Sequence, residues 1–437
     1  MAQSLEEFHP SVAHSKILWA VFERNVAPVV MIFHKPTLLK LIYKTAANRD
    51  RVDRVSEAVA FAVYFSAINS MDSETCKQEL GQDHSSALQH YRFATQQALV
   101  RAGFFQSRNQ TVLQAAVLFL TCLNSPKDAY FVWTMTAAVY RMAQGMGLHR
   151  DGTNFRLSPF EIEMRRRLWW AIYLLDTQSS EFHAIGTQIT ENSYDTEMPL
   201  NISDEDISPN STRSPESQTA FTEMTFSLVR IDMIVSHRRS VLQTSEHEFR
   251  SNETTENRNI SKKVEQRLRQ LEEIHNRLRE RYLRYCDTSV PIQWVTVTII
   301  RLALARSWVI AHPSYGQMED STACNVLSSG ESQCQLFNTA IEVVDFAYLL
   351  ETDPRTRRWS WLFERYSQWH SIIFVLTELC VRKQSAETDR AWAAIDKAVA
   401  RWINSPCQDS GFPLNTVYNL MARASAAHGR AWTVPTG

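Results

Sequence analysis

The sequence predicts an all-α protein: a large multi-helix, bundle-like assembly with short interhelical joints and two polar loops. Three observations carry that expectation. The 437 residues include only 11 glycines and 14 prolines, about 6% of the chain where an average protein has ~12%. The chain is rich in Ala, Leu, Arg, Glu and Gln, which lose little side-chain freedom in a helix. Apolar residues recur at three-to-four spacing in segments parted by short breakers, the pattern of antiparallel helical neighbours. At ~150 residues per domain the length allows up to three units.

The elements follow in order. Residues 11–48 carry a helical pattern through Phe22, Val26, Val29, Val30 and Phe33. Pro28 interrupts it, and Pro36 in His34-Lys35-Pro36 marks a second helix start. Residues 53–71 and 83–102 form two more helices around a polar joint at 72–81. Val112–Leu123 and Phe131–Met146 are separated by the breaker Asn124-Ser-Pro-Lys-Asp128. Gly145-Met-Gly147 ends the second of these, with His149 and Arg150 placed to satisfy its last carbonyls.

The most distinct local signal is Leu157-Ser-Pro-Phe-Glu161-Ile. Ser158 fits an N-cap, Pro159 the first helical position and Glu161 the far side of a capping box, with Leu157 and Ile162 as a hydrophobic staple. The helix runs to about Thr177. It stacks Glu161 on Arg165 and Glu163 on Arg167 at i,i+4, then becomes the apolar run Leu168–Leu175, buried on most sides.

Two stretches read as loops. Glu191–Gln218 holds three prolines and the acidic patch Asp204-Glu-Asp206, expected as a solvated loop rather than a cation site. Thr244–Asn259 is polar apart from Phe249 and is expected to be partly disordered. Beyond it Val264, Leu268, Leu271, His275, Leu278, Tyr282 and Tyr285 form a heptad too short for a dimeric coiled coil, hence a helix of the bundle. Further helices are expected at 292–310, 333–352, 360–383 and 387–403, with no internal repeat. The organisation is thus an N-terminal helical part (1–110), a core (111–243), a polar linker (244–262) and a C-terminal helical part of the same domain (263–437).

The search for chemistry excludes several classes. The 46 basic residues against 47 acidic ones generate no net field for nucleic acid or an anionic membrane. There is no Gly-rich phosphate loop, no paired-histidine zinc helix, no nucleophile elbow and no C-x-x-C. The N-terminus lacks the basic and apolar regions of a secretory signal, and the longest apolar runs are too short or carry arginines. Cys76, Cys122, Cys286, Cys324, Cys334, Cys380 and Cys407 have no regular spacing and read as reduced thiols of an intracellular protein. The Arg165-Arg166-Arg167 run reads as structural, because glutamates pair two of the three and tryptophans follow. No catalytic residue, metal ligand or cofactor is expected. The aromatic-rich helices instead suggest an apolar cavity or partner groove, with Trp169, Trp170, Glu181, His183, Trp369 and His370 as its candidate residues.

Several motifs occur together: Ala143-Gln-Gly-Met-Gly-Leu-His-Arg-Asp151, the run from Leu157 to Asp176, and Ile189-Thr-Glu through Tyr194-Asp195 to Met198-Pro-Leu-Asn-Ile-Ser-Asp-Glu-Asp-Ile207. Val26–Thr37 and Tyr366–Cys380 extend the pattern outward. The combination resembles the fungal-specific transcription factor domain, the middle homology region of zinc binuclear-cluster regulators, over roughly nine-tenths of the chain. The resemblance implies an all-helical regulatory domain, a nuclear location, and partners among other transcription regulators or the transcription machinery. It also implies a homo- or heterodimer and a small-molecule effector as further partners, with no membrane. Such regulators open with a six-cysteine zinc cluster that places a helix in the major groove. No such cluster occurs in these 437 residues, so DNA contact is expected to be indirect unless the gene encodes a zinc cluster outside them. The alternative reading is a helical protein that binds, or an enzyme that acts on, an apolar metabolite.

Overall fold

The computed structural model describes residues 4–48, 51–123, 125–183, 186–250, 256–311, 330–363, 368–403 and 414–430; the side chains at 126, 181–183, 240–250, 256–265, 311, 330–332, 369–370, 401–403 and 414–415 lie outside the description. Among these residues there are sixteen α-helices and no strand. They divide into two compact units, Met1–Ile234 with Arg358–Leu362, and Val235–Arg357 with Phe363–Gly437.

The first unit is built around α3 (Arg54–Asn69), in which every residue from Glu57 to Ile68 is buried. A helix apolar on all sides must be enclosed by others. Here the enclosing helices are α1 (Val12–Asn25), α2 (Lys35–Ala47), α5 (His84–Arg101) and α6 (Gln110–Cys122). Polar N-caps set where these helices start. Ser11, Asp53, Asp83 and Asn109 each accept a hydrogen bond from a backbone N–H two or three residues on, as does Asp72 for α4 (Ser73–Leu80), satisfying donors the helix leaves open. Between α1 and α2 the chain leaves the helix, and residues 26–34 run through the interior. The Gln114 amide of α6 donates to the Ile32 carbonyl there at 2.6 Å. Helix α7 (Ala129–Gly145) packs on α6, and α8 (Pro159–His183) on both.

Helix α9 (Thr225–Arg250) begins in the first unit. The second unit contains α10 (Glu256–Arg281), α11 (Pro291–Ala311), α12 (Gly330–Thr352), α14 (Trp369–Leu379), α15 (Ala386–Ile403) and α16 (Leu414–Ala427); α13 is the short Ser360–Phe363. Helix α12 is the hub, contacting α11, α14 and α15 and burying Leu336, Phe337, Ala340, Ile341, Val343 and Val344. The heptad helix α10 packs within the unit against α11, as expected. Among the described side chains of its stripe, Leu278 and Tyr282 are buried, while His275 is exposed.

Two expectations change, and one helix was not expected. The polar stretch 244–262 is helical at 244–250 and 256–262, as the ends of α9 and α10, with 251–255 outside the described residues. Its glutamates and arginines are good helix formers, so polarity did not mean loop. The helix expected over 360–383 is two elements, α13 and α14, with 364–367 outside the description. Helix α16 had no sequence expectation, although Val417, Met421 and Ala424 bury one face of it.

Candidate functional site

Helix α8 organises the first unit's polar interior, and its start forms as the residue types dictate. The Ser158 hydroxyl accepts from the Glu161 N–H at 3.3 Å, and the Glu161 carboxylate accepts from the Ser158 N–H at 2.8 Å, completing the capping box. That amide holds the Glu161 carboxyl below its ordinary range.

Arg165 corrects the sequence reading. Instead of closing an ion pair with Glu161, it donates to the carbonyls of Met146 and Gly147 at 3.1 and 2.8 Å and lies over the Phe155 ring. Those carbonyls end α7. Gly147 sits at φ +71°, the left-handed conformation that glycine takes without steric cost. Leu148 N–H returns to Ala143 O and Gly147 N–H to Gln144 O, both at 2.9 Å, a Schellman ending. Arg165 thus does for α7 what His149 and Arg150 were expected to do. Arg150 pairs with Asp195 at 3.0 Å, largely in solvent. The His149 Nδ1 is buried without a hydrogen bond among the described residues, and burial, with Arg150 and Arg165 nearby, lowers its pKa.

Arg166 and Arg167 hold the long loop 186–224 against the helix bundle. Arg166 forks onto Asp151 at 2.8 and 3.0 Å and reaches Glu197 at 2.6 Å. Burial would raise the Asp151 carboxyl, but Arg166, Thr153 and the Glu197 amide outweigh it and hold it far below the usual carboxylate range. Arg167 is completely buried. It donates to Glu163 at 2.9 Å and to Asp204 at 2.6 Å.

The acidic patch 204–206 is therefore not simply a solvated loop. Asp204 is 2% exposed, and it also accepts from the Lys35 N–H, the start of α2, at 2.7 Å. Its own N–H donates to Glu223, which pairs with the Lys35 ammonium. Asp206 instead closes a second capping box with Ser203. A neighbour on one side is fixed by contact distance. A Cβ added to Gly152 would meet the Ile162 Cα at 3.1 Å, so only glycine lets the 151–154 turn approach α8.

The tryptophans occupy another face. Trp169 is fully buried with its ring near Tyr140, His149 and Tyr194, and its indole N–H has no acceptor among the described residues. Trp170 donates to the Glu197 carbonyl at 2.8 Å and packs on Tyr173 and Tyr194. Glu191 accepts from the hydroxyls of Tyr173 and Tyr194 at 2.5 and 3.0 Å. Of the six candidate cavity residues, the structure brings these two together in a packed aromatic cluster. The side chains of Glu181, His183, Trp369 and His370 lie outside the described residues.

A cavity of about 30 Å³ lies on the adjacent face of α8. Arg167, Ala171, Leu174 and Gln178 line it at helical spacing, facing the 29–32 segment and Ser227, Arg230 and Ile231 of α9. Asn201 fixes where α9 starts: its side-chain carbonyl accepts from the Thr222 and Thr225 hydroxyls, both at 2.8 Å, and its amide donates to Gln218 and Ala220. Sequence reasoning missed Asn201 and Arg230. The Pro-rich loop gave no sign that its asparagine would be buried, whereas Arg230 inside the apolar-flanked Ser-Leu-Val-Arg-Ile run was a usable signal.

Among the described residues, no group of three or more His, Cys, Asp or Glu could hold a metal ion, and no helix is long and apolar enough to cross a membrane. Cys76 and Cys122 are buried and in no disulfide, and Cys286, Cys334 and Cys380 are partly buried; Cys324 and Cys407 lie outside the described residues.

Among the described residues the fold is all-helical, and the polar interior of the first unit holds a loop. The chain belongs to the fungal specific transcription factor domain family, which it matches over residues 19–281. It is 30% identical to the aurofusarin cluster transcription factor of Gibberella zeae, over 99% of this chain and 63% of the relative. It is 28% identical to the transcriptional regulator AacuB of Aspergillus aculeatus, over 94% of this chain and 54% of that protein. With a pyriculol/pyriculariol biosynthesis cluster transcription factor of Pyricularia oryzae it shares 33% identity over 51% of the chain and 30% of the relative. The chain thus spans from about a third to three fifths of these relatives' lengths. The family and the relatives' names are those of transcription factors, not of enzymes.

Proposed function

We propose that this chain is the regulatory part of a transcription factor that controls a biosynthetic gene cluster. The observation that carries the reading is the family match together with relatives named for the aurofusarin and the pyriculol/pyriculariol clusters. In this reading the protein acts in the nucleus and contacts other transcription regulators or the transcription machinery. Homo- or heterodimerisation belongs to the same reading, and contact of this chain with DNA is indirect. Mechanistically, the loop held by Arg166 and Arg167 is the bistable element. A ligand or partner that favours one arrangement over the other by a few kcal/mol shifts the protein between restrained and active forms.

The test is deletion and overexpression of the gene, followed by transcript measurement across the genome. The expected result is a coordinated change in a contiguous set of biosynthetic genes. Unchanged transcripts in both strains, under conditions where the protein is present, would refute the reading.

A further inference from the structure

Arg230 lies on the first turns of α9, is 6% exposed, and lines the cavity beside α8. It packs over the Phe226 ring but makes no hydrogen bond or ion pair to any described residue. Its guanidinium nitrogens are not sealed from solvent, so a charge-assisted bond to an anion is open to them. The neighbouring cation is also incompletely satisfied. Arg167 spends its Nε on Glu163 and its Nη1 on Asp204, while its Nη2 is buried without an acceptor. Both carboxylates are already engaged: Glu163 also receives the Leu200 N–H and Asp204 the Lys35 N–H. Neither serves Arg230.

The remaining walls decide what could meet these donors. Val30, Ile32, Leu174 and Ile231 give the cavity an apolar wall, beside which Thr121, Gln178 and Ser227 add neutral polar groups and no carboxylate. Its roughly 30 Å³ would hold a carboxylate-sized group or one or two waters. It is too small to enclose a ring. An occupant therefore has a compact anionic head for the guanidinium donors and an apolar body directed toward the mouth.

We propose that this cavity binds the carboxylate of a small amphipathic acid, with Arg230 as its principal charge partner and the free Nη2 of Arg167 as a second donor. A guanidinium suits a planar carboxylate because its paired N–H groups match the two oxygens. The acid would tie α9 to the face of α8 that also carries the Asp204 clamp. This site follows from the residues themselves and does not depend on the transcriptional reading, because its test uses the isolated protein.

The test is a thermal-unfolding and calorimetric titration of the full chain with acetate, benzoate and octanoate, and with benzamide as the uncharged counterpart of benzoate. The expected result is a saturable rise of several degrees in the unfolding midpoint with benzoate or octanoate, and none with benzamide. Arg230→Met should bind the acid at least roughly tenfold more weakly, the scale of a lost charge-assisted pair. The midpoint of unliganded Arg230→Met should stay within a few degrees of wild type, because its guanidinium is open to water and has no protein acceptor. Arg213→Met, at an exposed position in the same unit, should leave both properties unchanged. The proposal is overturned if none of the three acids binds, if benzamide binds as well as benzoate, or if Arg230→Met retains the acid response.

Discussion

Arg167 and Asp204 stand 37 residues apart in the chain and meet at 2.6 Å, each side chain no more than 2% exposed. One belongs to an amphipathic helix and the other to an acidic loop, and each alone looks like a surface residue. Together with Glu163 they form a buried charged knot that fixes loop 186–224 to α8 and to the start of α2.

Removing one member of such a knot leaves a buried charge uncompensated. Asp204→Asn should therefore destabilise the first unit by about 3–5 kcal/mol, the usual cost of breaking a buried pair. Chemical denaturation monitored by tryptophan fluorescence would measure it. A loss under 1 kcal/mol would mean that the loop is held by other contacts.

Acid should unfold the protein through two separate groups. His149 has its pKa lowered by burial and by Arg150 and Arg165. As pH falls through the unfolded value near 6.5, the unfolded chain takes up a proton that the folded one resists, so stability drops until the lower folded value is reached. Asp151 has a folded pKa far below its unfolded one. Its contribution is complete above about pH 3.9 and is lost as pH falls toward the folded value. Stability measured from pH 8 to 2 should decline in both windows, with His149→Gln flattening the upper one and Asp151→Asn the lower.

The two tryptophans should respond differently to loss of the indole nitrogen. Trp170→Phe removes the bond to the Glu197 carbonyl, whereas Trp169 has no acceptor to lose. Both changes shrink a packed side chain, but Trp170→Phe should cost about 1 kcal/mol more, the net worth of one hydrogen bond. Equal losses would show that the bond contributes little.

Glycines on either side of the α7–α8 connection should behave oppositely. A Cβ at Gly145 meets nothing within 4 Å and lies in the last turn of α7, so Gly145→Ala should stabilise by about 0.4–1 kcal/mol. Gly152→Ala drives its Cβ against the Ile162 backbone and should destabilise by about 1–3 kcal/mol, as overpacking does. Thermal unfolding of the two variants distinguishes them.

These contrasts also mark what was legible in the sequence. The Ser158 capping box, the end of α7 at Gly147 and the burial of Leu168–Leu175 rest on residues within a few positions of one another, and local rules sufficed. The partner of Arg165 was misassigned because i,i+4 spacing nominated Glu161, while two open carbonyls 18 and 19 residues back offered a better-placed acceptor pair. Asp204 looked solvated for the same reason: its partners, Arg167 and Lys35, are distant in sequence. The apolar-flanked Ser-Leu-Val-Arg-Ile run signalled a buried Arg230, but the cavity beside it is made by three segments distant in sequence, and no spacing encodes their convergence.

The central claim, that this chain is a transcriptional regulatory domain, is tested most directly by tethering it to a heterologous DNA-binding domain and measuring a reporter carrying that domain's site. The account predicts output that differs from the bare DNA-binding domain, and that changes when Asp204→Asn releases the loop in a protein still present at wild-type abundance. Output indistinguishable from the bare DNA-binding domain, for the wild-type chain and for the variant alike, would contradict it.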